Sequence, residues 1–457
     1  MKQLTRLALH LCIAATASAG NWPGWRGPEG TGVSLETDLP ETWSANQNVR
    51  WRVPLPGPGN SSAIAWGNRV WIAQAIKSQK RRTVICFDRA EGRQLWQAGP
   101  IYDQNEPTHE NNPYCSATPV TDGERVVASF GSAGLYCYDL EGKELWHRDF
   151  GPMNHMFGNA SSPVLHANLC ILNFGPDPKA RLIAVDKRDG HTLWEAEPPK
   201  VDPGEQPPAG GGPGAPGGGP DPGGPAGSGA GPPGGAWGTP LLIKAGQRDE
   251  LVMNFPNRLA GYEPRTGKQL WFSKGIDDWV FTTPLSGGGV VVGMSSGTMG
   301  GTVLAAQPGG NGDVTESRRL WRLERLKSQS IGSGVIHDGY VYLIGEGGIA
   351  SCLELKTGNK VWEERLKGPG AKSSSWSSML LAGGRVYVPN QSGDVFVLRA
   401  GPRFELLATN SVNEPTNASL AASDGDLFLR TDRGLWCLAG HGGGGASTTR
   451  NPVPLPK

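Results

Sequence analysis

Several kinds of catalytic site reveal themselves by spacing, and the 457-residue sequence comes close to three of them without completing any. A metallopeptidase helix needs two histidines four residues apart, so that both imidazoles face one ion. Here His109-Glu110 runs on into Asn111-Asn112-Pro113. A phosphate-cradling loop ends in Gly-Lys-Ser or Gly-Lys-Thr at a helix N-terminus, yet the glycine-rich run from Gly204 to Gly235 contains no lysine or arginine. A nucleophile elbow requires Gly-x-Ser-x-Gly between strand and helix. Gly332-Ser333-Gly334 lacks that spacing and lies in a strand-like context, where close packing accounts for it.

The side chains that do stand out have binding chemistry. Asn60, Asn159 and Asn417 each open an Asn-x-Ser triplet at the start of a repeated unit. Together with Tyr114, Trp237, Phe281 and Trp376 they are expected to bring amides and aromatic faces to the mouth of an axial funnel, a set that suits a planar cofactor, a sugar or a peptide. The same residues suit a structural role, capping strands and filling the funnel. A second polar group, His109, Glu110, Asn111 and Asn112 with Asn154 and His155, falls in connections between units. Ligand contacts concentrate in such connections, although most polar loop residues are merely solvated.

The elements that would carry these residues are visible as a repeat. Tryptophans preceded by Leu or Val occur at Trp96, Trp146, Trp194, Trp271, Trp321 and Trp362, roughly 40 to 50 residues apart except across one gap, which is the period of a four-stranded propeller blade. The gap between Trp194 and Trp271 holds a Pro/Gly tract, residues 198–235, with almost nothing apolar to bury and therefore expected to be a disordered loop. Units begin near Asn60, Cys115, Asn159, Ala236, Val280, Ser330, Ser375 and Asn417. The seventh carries Phe404-Glu405-Leu406 in place of Leu-Trp, and the eighth stops one strand short. Asn48-Val49-Arg50-Trp51-Arg52 has the missing pattern, so an N-terminal strand closes the last blade and removes the open edge. The expected fold is all-β, an eight-bladed β-propeller over residues 20–440 with four-stranded blades.

Two columns within the repeat have a physical reading. The third residue of the innermost strand is Ser62, Ala117, Ser161, Gly238, Thr282, Gly332, Ser377 or Ser419, always small because eight strands converge on the axis. Ahead of the outer strand, Asp88, Gly92 and Trp96 recur as Asp186, Gly190 and Trp194, and with Glu as Glu263, Gly267, Trp271 and as Glu354, Gly358, Trp362. An acid can bond the turn's N–H groups, glycine takes positive φ, and tryptophan offers a broad face to the neighbouring blade. A catalytic acid is needed once, whereas these recur, so they read as a structural docking motif.

Composition sets the boundaries. Lys plus Arg (43) balance Asp plus Glu (42), leaving no basic field for nucleic acid. Lys2 and Arg6, the apolar run Leu7 to Ala17, and Ala17-Ser18-Ala19 read as a signal peptide over residues 1–19. Cys12 lacks the small residues before it that a lipoprotein site needs, and no later run has the length of a membrane helix. An exported, periplasmic or extracellular chain is expected, with a disordered tail over 441–457. Cys86, Cys137, Cys352 and Cys437 occupy similar apolar contexts and read as small buried fillers, while Cys115 and Cys170 are the one pair to consider for a bridge.

The repeat Ala184-Val185-Asp186-Lys187-Arg188-Asp189-Gly190-His191-Thr192-Leu193-Trp194 resembles the tryptophan-docking repeat of the propellers related to pyrroloquinoline quinone (PQQ) enzymes. The opening Asn21-Trp22-Pro23-Gly24-Trp25-Arg26-Gly27-Pro28, with Leu39-Pro40, Trp43 and Val49-Arg50-Trp51, is similar to that of exported bacterial PQQ-like propellers. The resemblance spans about Trp22 to Ala439 and implies two functions. Quinoprotein dehydrogenases hold PQQ and calcium on the axis and oxidise alcohols or sugars; propellers of the BamB type bind proteins. The dehydrogenases' adjacent cysteines are missing, and their calcium ligands and catalytic aspartate map onto no residue here. The leading expectation is therefore a non-catalytic binding or scaffold protein, taking a protein or small-molecule ligand at the propeller face. The alternative is a PQQ- and calcium-dependent dehydrogenase, with the funnel aromatics stacking the quinone.

Overall fold

Apolar runs of a few residues, closed off by Gly, Asp and Asn turns, are too short for stable helices and pair with the next run instead. The computed structural model describes residues 20–176, 179–199, 235–296, 301–326, 331–345 and 347–440. The leader, the C-terminal tail, Ser330 and the Pro/Gly tract apart from its ends lie outside them. The chain forms an all-β, eight-bladed propeller with four antiparallel strands per blade. Blade 1 comprises Ile64–Trp66, Arg69–Ile76, Arg81–Asp88 and Gln94–Ala98. Blades 2 to 7 follow over residues 120–148, 164–196, 241–274, 285–326, 335–365 and 380–411. Blade 8 takes Ala421–Ser423, Asp426–Arg430 and Gly434–Ala439 from the C-terminus and Val49–Pro54 from the N-terminus as its outer strand.

The docking tryptophans join each blade to the next. Trp51, Trp96, Trp146, Trp194, Trp321 and Trp362 each donate their indole N–H across a blade boundary, to the carbonyls of Arg89, Leu140, Lys187, Pro264, Leu355 and Gly401, at 2.7 to 3.3 Å. The receiving turn must be glycine: at Gly92, with φ +70°, a Cβ would sit 2.7 Å from the Trp51 ring. The acids pin the same turns, as where Asp88 accepts the N–H groups of Ala90 and Glu91. A register shift precedes the outer strand in every blade, a bulge that turns the tryptophan onto its neighbour. The residues directly opposite Trp96, Trp146, Trp362 and Trp51 are Cys86, Cys137, Cys352 and Cys437, small enough to make room for the indole. All six cysteines described are free and buried, Cys115 and Cys170 included, and burial pushes the Cys86 thiol up to about 12, leaving it unreactive.

Two blades depart from this pattern. Trp271 is fully buried and donates to Glu250 at 2.6 Å, because residues 307–318 of blade 5 add a short parallel strand, Gly312–Asp313, over its edge. In blade 7 the register places Ala408, and not Phe404-Glu405-Leu406, where other blades have tryptophan. Trp43 of the N-terminal segment packs into the same core as Leu407 and Ala408 and stacks on Tyr387 at 6.4 Å.

Near the axis, every blade contributes a hydroxyl two residues before its inner strand: Ser62, Thr118, Ser162, Thr239, Thr283, Ser333, Ser378 and Ser419. Seven of these hydroxyls accept a backbone N–H from an adjacent blade at 2.9 to 3.0 Å, in a belt that crosses the closure from Ser419 to Ser62. The eighth, Thr283, accepts the indole N–H of Trp25 at 2.9 Å. The small-residue column expected from sequence is therefore misregistered. Its members in blades 2 to 7 sit one position before this belt, while Ser62 and Ser419 belong to it. Ser419→Ala removes the acceptor of the buried Ser378 N–H, and a loss of about 1 to 3 kcal/mol in urea unfolding is expected.

The N-terminal segment covers the end of the axis away from the funnel. Trp22 exchanges backbone bonds with Ala65 of blade 1 at 2.8 and 2.9 Å, the Pro23 carbonyl accepts Thr121 of blade 2, and Val33–Ser34 adds a parallel strand to blade 7. The Glu36 carboxylate receives the N–H groups of Asp424 and Gly425 in blade 8. Arg26, fully buried, donates to the carbonyls of Thr31, Ser333 and Gly334 at 2.5 to 3.1 Å, and burial lowers its pKa to about 9.

Candidate binding face

At the funnel end, the connections between blades must fold back over the mouth, and buried or half-buried carboxylates fasten several of them. Glu106, from the connection between blades 1 and 2, pairs with Arg82 and accepts the Ser132 N–H of blade 2 at 3.1 Å. Asp277, before blade 5, accepts Thr302 and Ser295 hydroxyls at 2.6 and 3.3 Å. Glu414, before blade 8, accepts Thr431, Trp436 and Arg52. In blade 7 the direction is reversed, with Asp394 accepting Gly370 of the preceding connection at 3.0 Å.

The connection that Glu106 fastens meets the next one, between blades 2 and 3. Asn60 donates to the Asn111 carbonyl at 2.8 Å, and Asn112 donates to the carbonyls of Phe157 and Asn159 at 2.6 and 3.3 Å. The indole N–H of Trp237 reaches the Gly158 carbonyl at 2.9 Å. His109 accepts the Asn111 N–H at Nδ1, and His155 accepts the Phe157 N–H in the same way, both at 3.2 Å. An accepting Nδ1 leaves Nε2 as the donor position of a neutral imidazole. The two imidazoles flank Phe157, at 5.4 and 5.8 Å between centroids.

Behind them stands an aromatic wall. Trp237 and Trp279 lie nearly parallel, 5.7 Å apart with 12° between planes, and Phe281 lies 4.7 Å from Trp237. His155 meets Trp237 edge-on at 5.0 Å. Of the residues proposed from sequence, the structure thus brings together Trp237, Phe281 and, through the connections, Asn60 and Asn159. Asn417, at the entrance to blade 8, accepts Gln391 at 3.0 Å. Trp376, on blade 7, is half-buried, and its buried indole N–H has no partner among the described residues. Tyr114 lies against the Arg82 guanidinium and donates to the Glu106 carbonyl at 2.6 Å. It lines, with Asn159, a small pocket of about 290 Å³. Asn60, Trp237, Phe281, Trp376 and Asn417 stand four residues before their inner strands, where blades 2 and 3 have Ser116 and Ala160, so Tyr114 and Asn159 are out of register with them.

Sequence reasoning missed Trp279 and Phe157. Trp279 alternates with Phe281 across Val280 and lacks the preceding Leu or Val of a docking tryptophan, which was the available signal. Beside it Asp278 is half-buried, and burial and the neighbouring Asp277 raise its pKa. A raised folded-state pKa means that the ionised carboxylate weakens the fold at neutral pH and that this penalty disappears below the unfolded pKa. Asp278→Asn is expected to raise the melting temperature at pH 7 and to leave it unchanged near pH 3 (melts at both pH values).

The wall does not fit a planar quinone. Trp237 and Trp279 are each 4% exposed, and the faces a quinone would need are occupied by each other and by Phe281. The Asn60 and Asn159 amides are likewise engaged with backbone carbonyls. What the face presents is the rim of the wall: His109, Phe157 and Met156, the last 51% exposed at the apex of its connection.

The family model described as outer membrane protein assembly factor BamB matches residues 42–206 and 178–443. No curated protein matches the chain. Among solved structures, BamB from Moraxella catarrhalis aligns with a TM-score of 0.55 and 13% identity over 85% of this chain and 99% of its own. Quinohemoprotein alcohol dehydrogenase from Comamonas testosteroni aligns with a TM-score of 0.62 and 13% identity over 97% of this chain and 84% of its own. A europium-containing methanol dehydrogenase gives 0.52 and 12% identity, over 92% and 91%. At these identities the likeness is one of fold.

Proposed function

Since the chain belongs to the family of the outer membrane protein assembly factor BamB, we propose that it is an exported, non-catalytic binding or scaffold propeller that engages a protein partner at its funnel face. The observation that carries this reading is Met156, half exposed on a connection whose flanks are held by Asn112 and by the tilted contact between the rings of His155 and Phe157. A flexible, polarizable side chain on a preorganised loop suits contact with another protein at little ordering cost. Export is supported by the charged and apolar N-terminal run with its Ala-Ser-Ala site and by the family's outer-membrane association. Among the described residues no helix is long and apolar enough to cross a membrane.

The test is site-specific photocrosslinking in the exporting cell, with benzoylphenylalanine at position 156 and, as a control on the outer rim, at Leu193, which is also exposed. Discrete protein adducts at 156 that are absent at 193 are expected. Equal or absent adducts at the two positions would remove the support for a funnel-face partner.

A further inference from the structure

The face opposite the funnel has a strand edge that no other described residue pairs with. In a propeller the inner strand of each blade presents one ladder edge to the axis, and an edge with free N–H and C=O groups is a template for added backbone. The N-terminal segment uses several of these edges: Trp22 pairs with Ala65 in blade 1, Pro23 accepts Thr121 in blade 2, and Val33–Ser34 lies parallel to Leu381 and Ala382 in blade 7. Blade 4 differs. Its inner strand, Leu241–Ala245, has five residues where the other blades have two or three, and among the described residues no strand lies beyond it in its sheet.

The outward-facing groups on that strand follow from its turn. Ala245 and Arg248 close a two-residue hairpin through Gly246 and Gln247, and such hairpins close on a hydrogen-bonded pair. By alternation, Ile243 and Leu241 also bond across to the second strand, and the N–H and C=O of Leu242 and Lys244 point away from it. Leu242, Ile243 and Lys244 line an open groove, whose other walls include Val33 and Glu36 of the N-terminal segment and Ile336 of blade 6. Leu242 and Ile243 are only half-buried there, and Leu35 at the rim is 86% exposed.

We propose that this groove receives an extended peptide segment of a partner protein, added as a strand to the free edge of Leu241–Ala245, with its apolar side chains lying against Val33, Leu242 and Ile336. The occupant is inferred from continuity: on this same face the chain already places extended backbone on the inner edges of blades 1 and 7, and the groove is bounded by that very segment. The site lies on the opposite end of the axis from Met156 and does not depend on the funnel-face reading.

The test uses the mature protein and a fluorescein-labelled octapeptide alternating valine and threonine, flanked by lysines, followed by fluorescence anisotropy. Binding is expected with a Kd on the order of 10 to 100 μM. Two changes that remove donors without removing apolar surface discriminate the mode. N-methylation of alternate peptide residues, and Leu242→Pro, which deletes an outward N–H that the ladder does not use, are each expected to weaken binding about tenfold or more. A melting temperature for Leu242→Pro within a few degrees of the parent shows that the hairpin survives; if it does not, Lys244→Pro takes its place. Absence of binding, or binding that N-methylation and the proline leave unchanged, overturns the proposal. Self-association in sedimentation that the proline abolishes also overturns it, assigning the edge to a second copy of the chain.

Discussion

Glu106→Ala is expected to destabilise the protein by about 3 to 5 kcal/mol, the cost of stranding a buried charge. Arg82 and Glu106 are 4% and 5% exposed. The guanidinium is enclosed by the rings of Tyr102 and Tyr114, 4.5 and 4.3 Å from their centroids, and donates to the Phe130 carbonyl at 2.7 Å. With the carboxylate gone, the guanidinium keeps its charge in a site closed to water, and the Ser132 N–H loses its acceptor. The double variant Arg82→Met, Glu106→Leu removes both charges and is expected to recover much of the loss, because a buried pair contributes little beyond an apolar pair of similar volume. Urea unfolding of the parent, single and double variants measures this. A single variant within about 1 kcal/mol of the parent would show that water reaches the pair. The consequence for function is local, since the connection that Glu106 fastens carries His109, Asn111 and Asn112 to the funnel face.

Arg26→Ala is the second large effect. The side chain is fully buried and is held by carbonyls alone: Thr31 from its own segment and Ser333 and Gly334 from blade 6. Truncation leaves the two blade 6 carbonyls without that donor and opens a void beside Trp25, whose indole caps the hydroxyl belt at Thr283. Each stranded acceptor costs about 1 to 3 kcal/mol, so a loss of about 3 kcal/mol or more is expected. Arg26→Met, which keeps most of the volume, should lose less. The readout specific to the plug is hydrogen exchange: the amides of Ala65 and Leu381, which bond the N-terminal segment, should exchange faster in Arg26→Ala than core amides such as Val252. Uniform acceleration would mean that the plug and ring unfold as one unit.

Much of the ring was legible in the sequence because its determinants are periodic. The docking tryptophan, its glycine turn and the strand-closing Val49-Arg50-Trp51 recur at fixed offsets and fix blade number and closure without any knowledge of contacts. The cysteines opposite the tryptophans were legible as fillers for the same reason. The hydroxyl belt was not, since the position before each hydroxyl is also small, and an alignment on size cannot separate adjacent columns when blades 1 and 8 are shifted by one residue. Tyr114 and Asn159 stand out of register with the other proposed funnel residues through that same problem at the entrances to blades 2 and 3. The carboxylate fasteners carry no local signature, and the plug was legible only as a resemblance over Asn21 to Pro28 that says nothing of its contacts. Arg26 meets two of its three acceptors more than 300 residues away, and Glu106 is an ordinary loop acid until Arg82 and Ser132 fold around it.

The funnel face is read as a surface that binds from outside, its broad aromatic faces spent on one another. Melting the mature protein with PQQ, with calcium, with both and with neither, alongside dye-linked oxidation of alcohols and sugars, tests this directly, because a ligand specific for the folded state raises the melting temperature with its excess over Kd. An unchanged melting temperature and no dye reduction are expected. A shift that requires PQQ and calcium together, accompanied by alcohol- or sugar-dependent dye reduction, would contradict the binding-protein reading and make the chain a quinoprotein dehydrogenase.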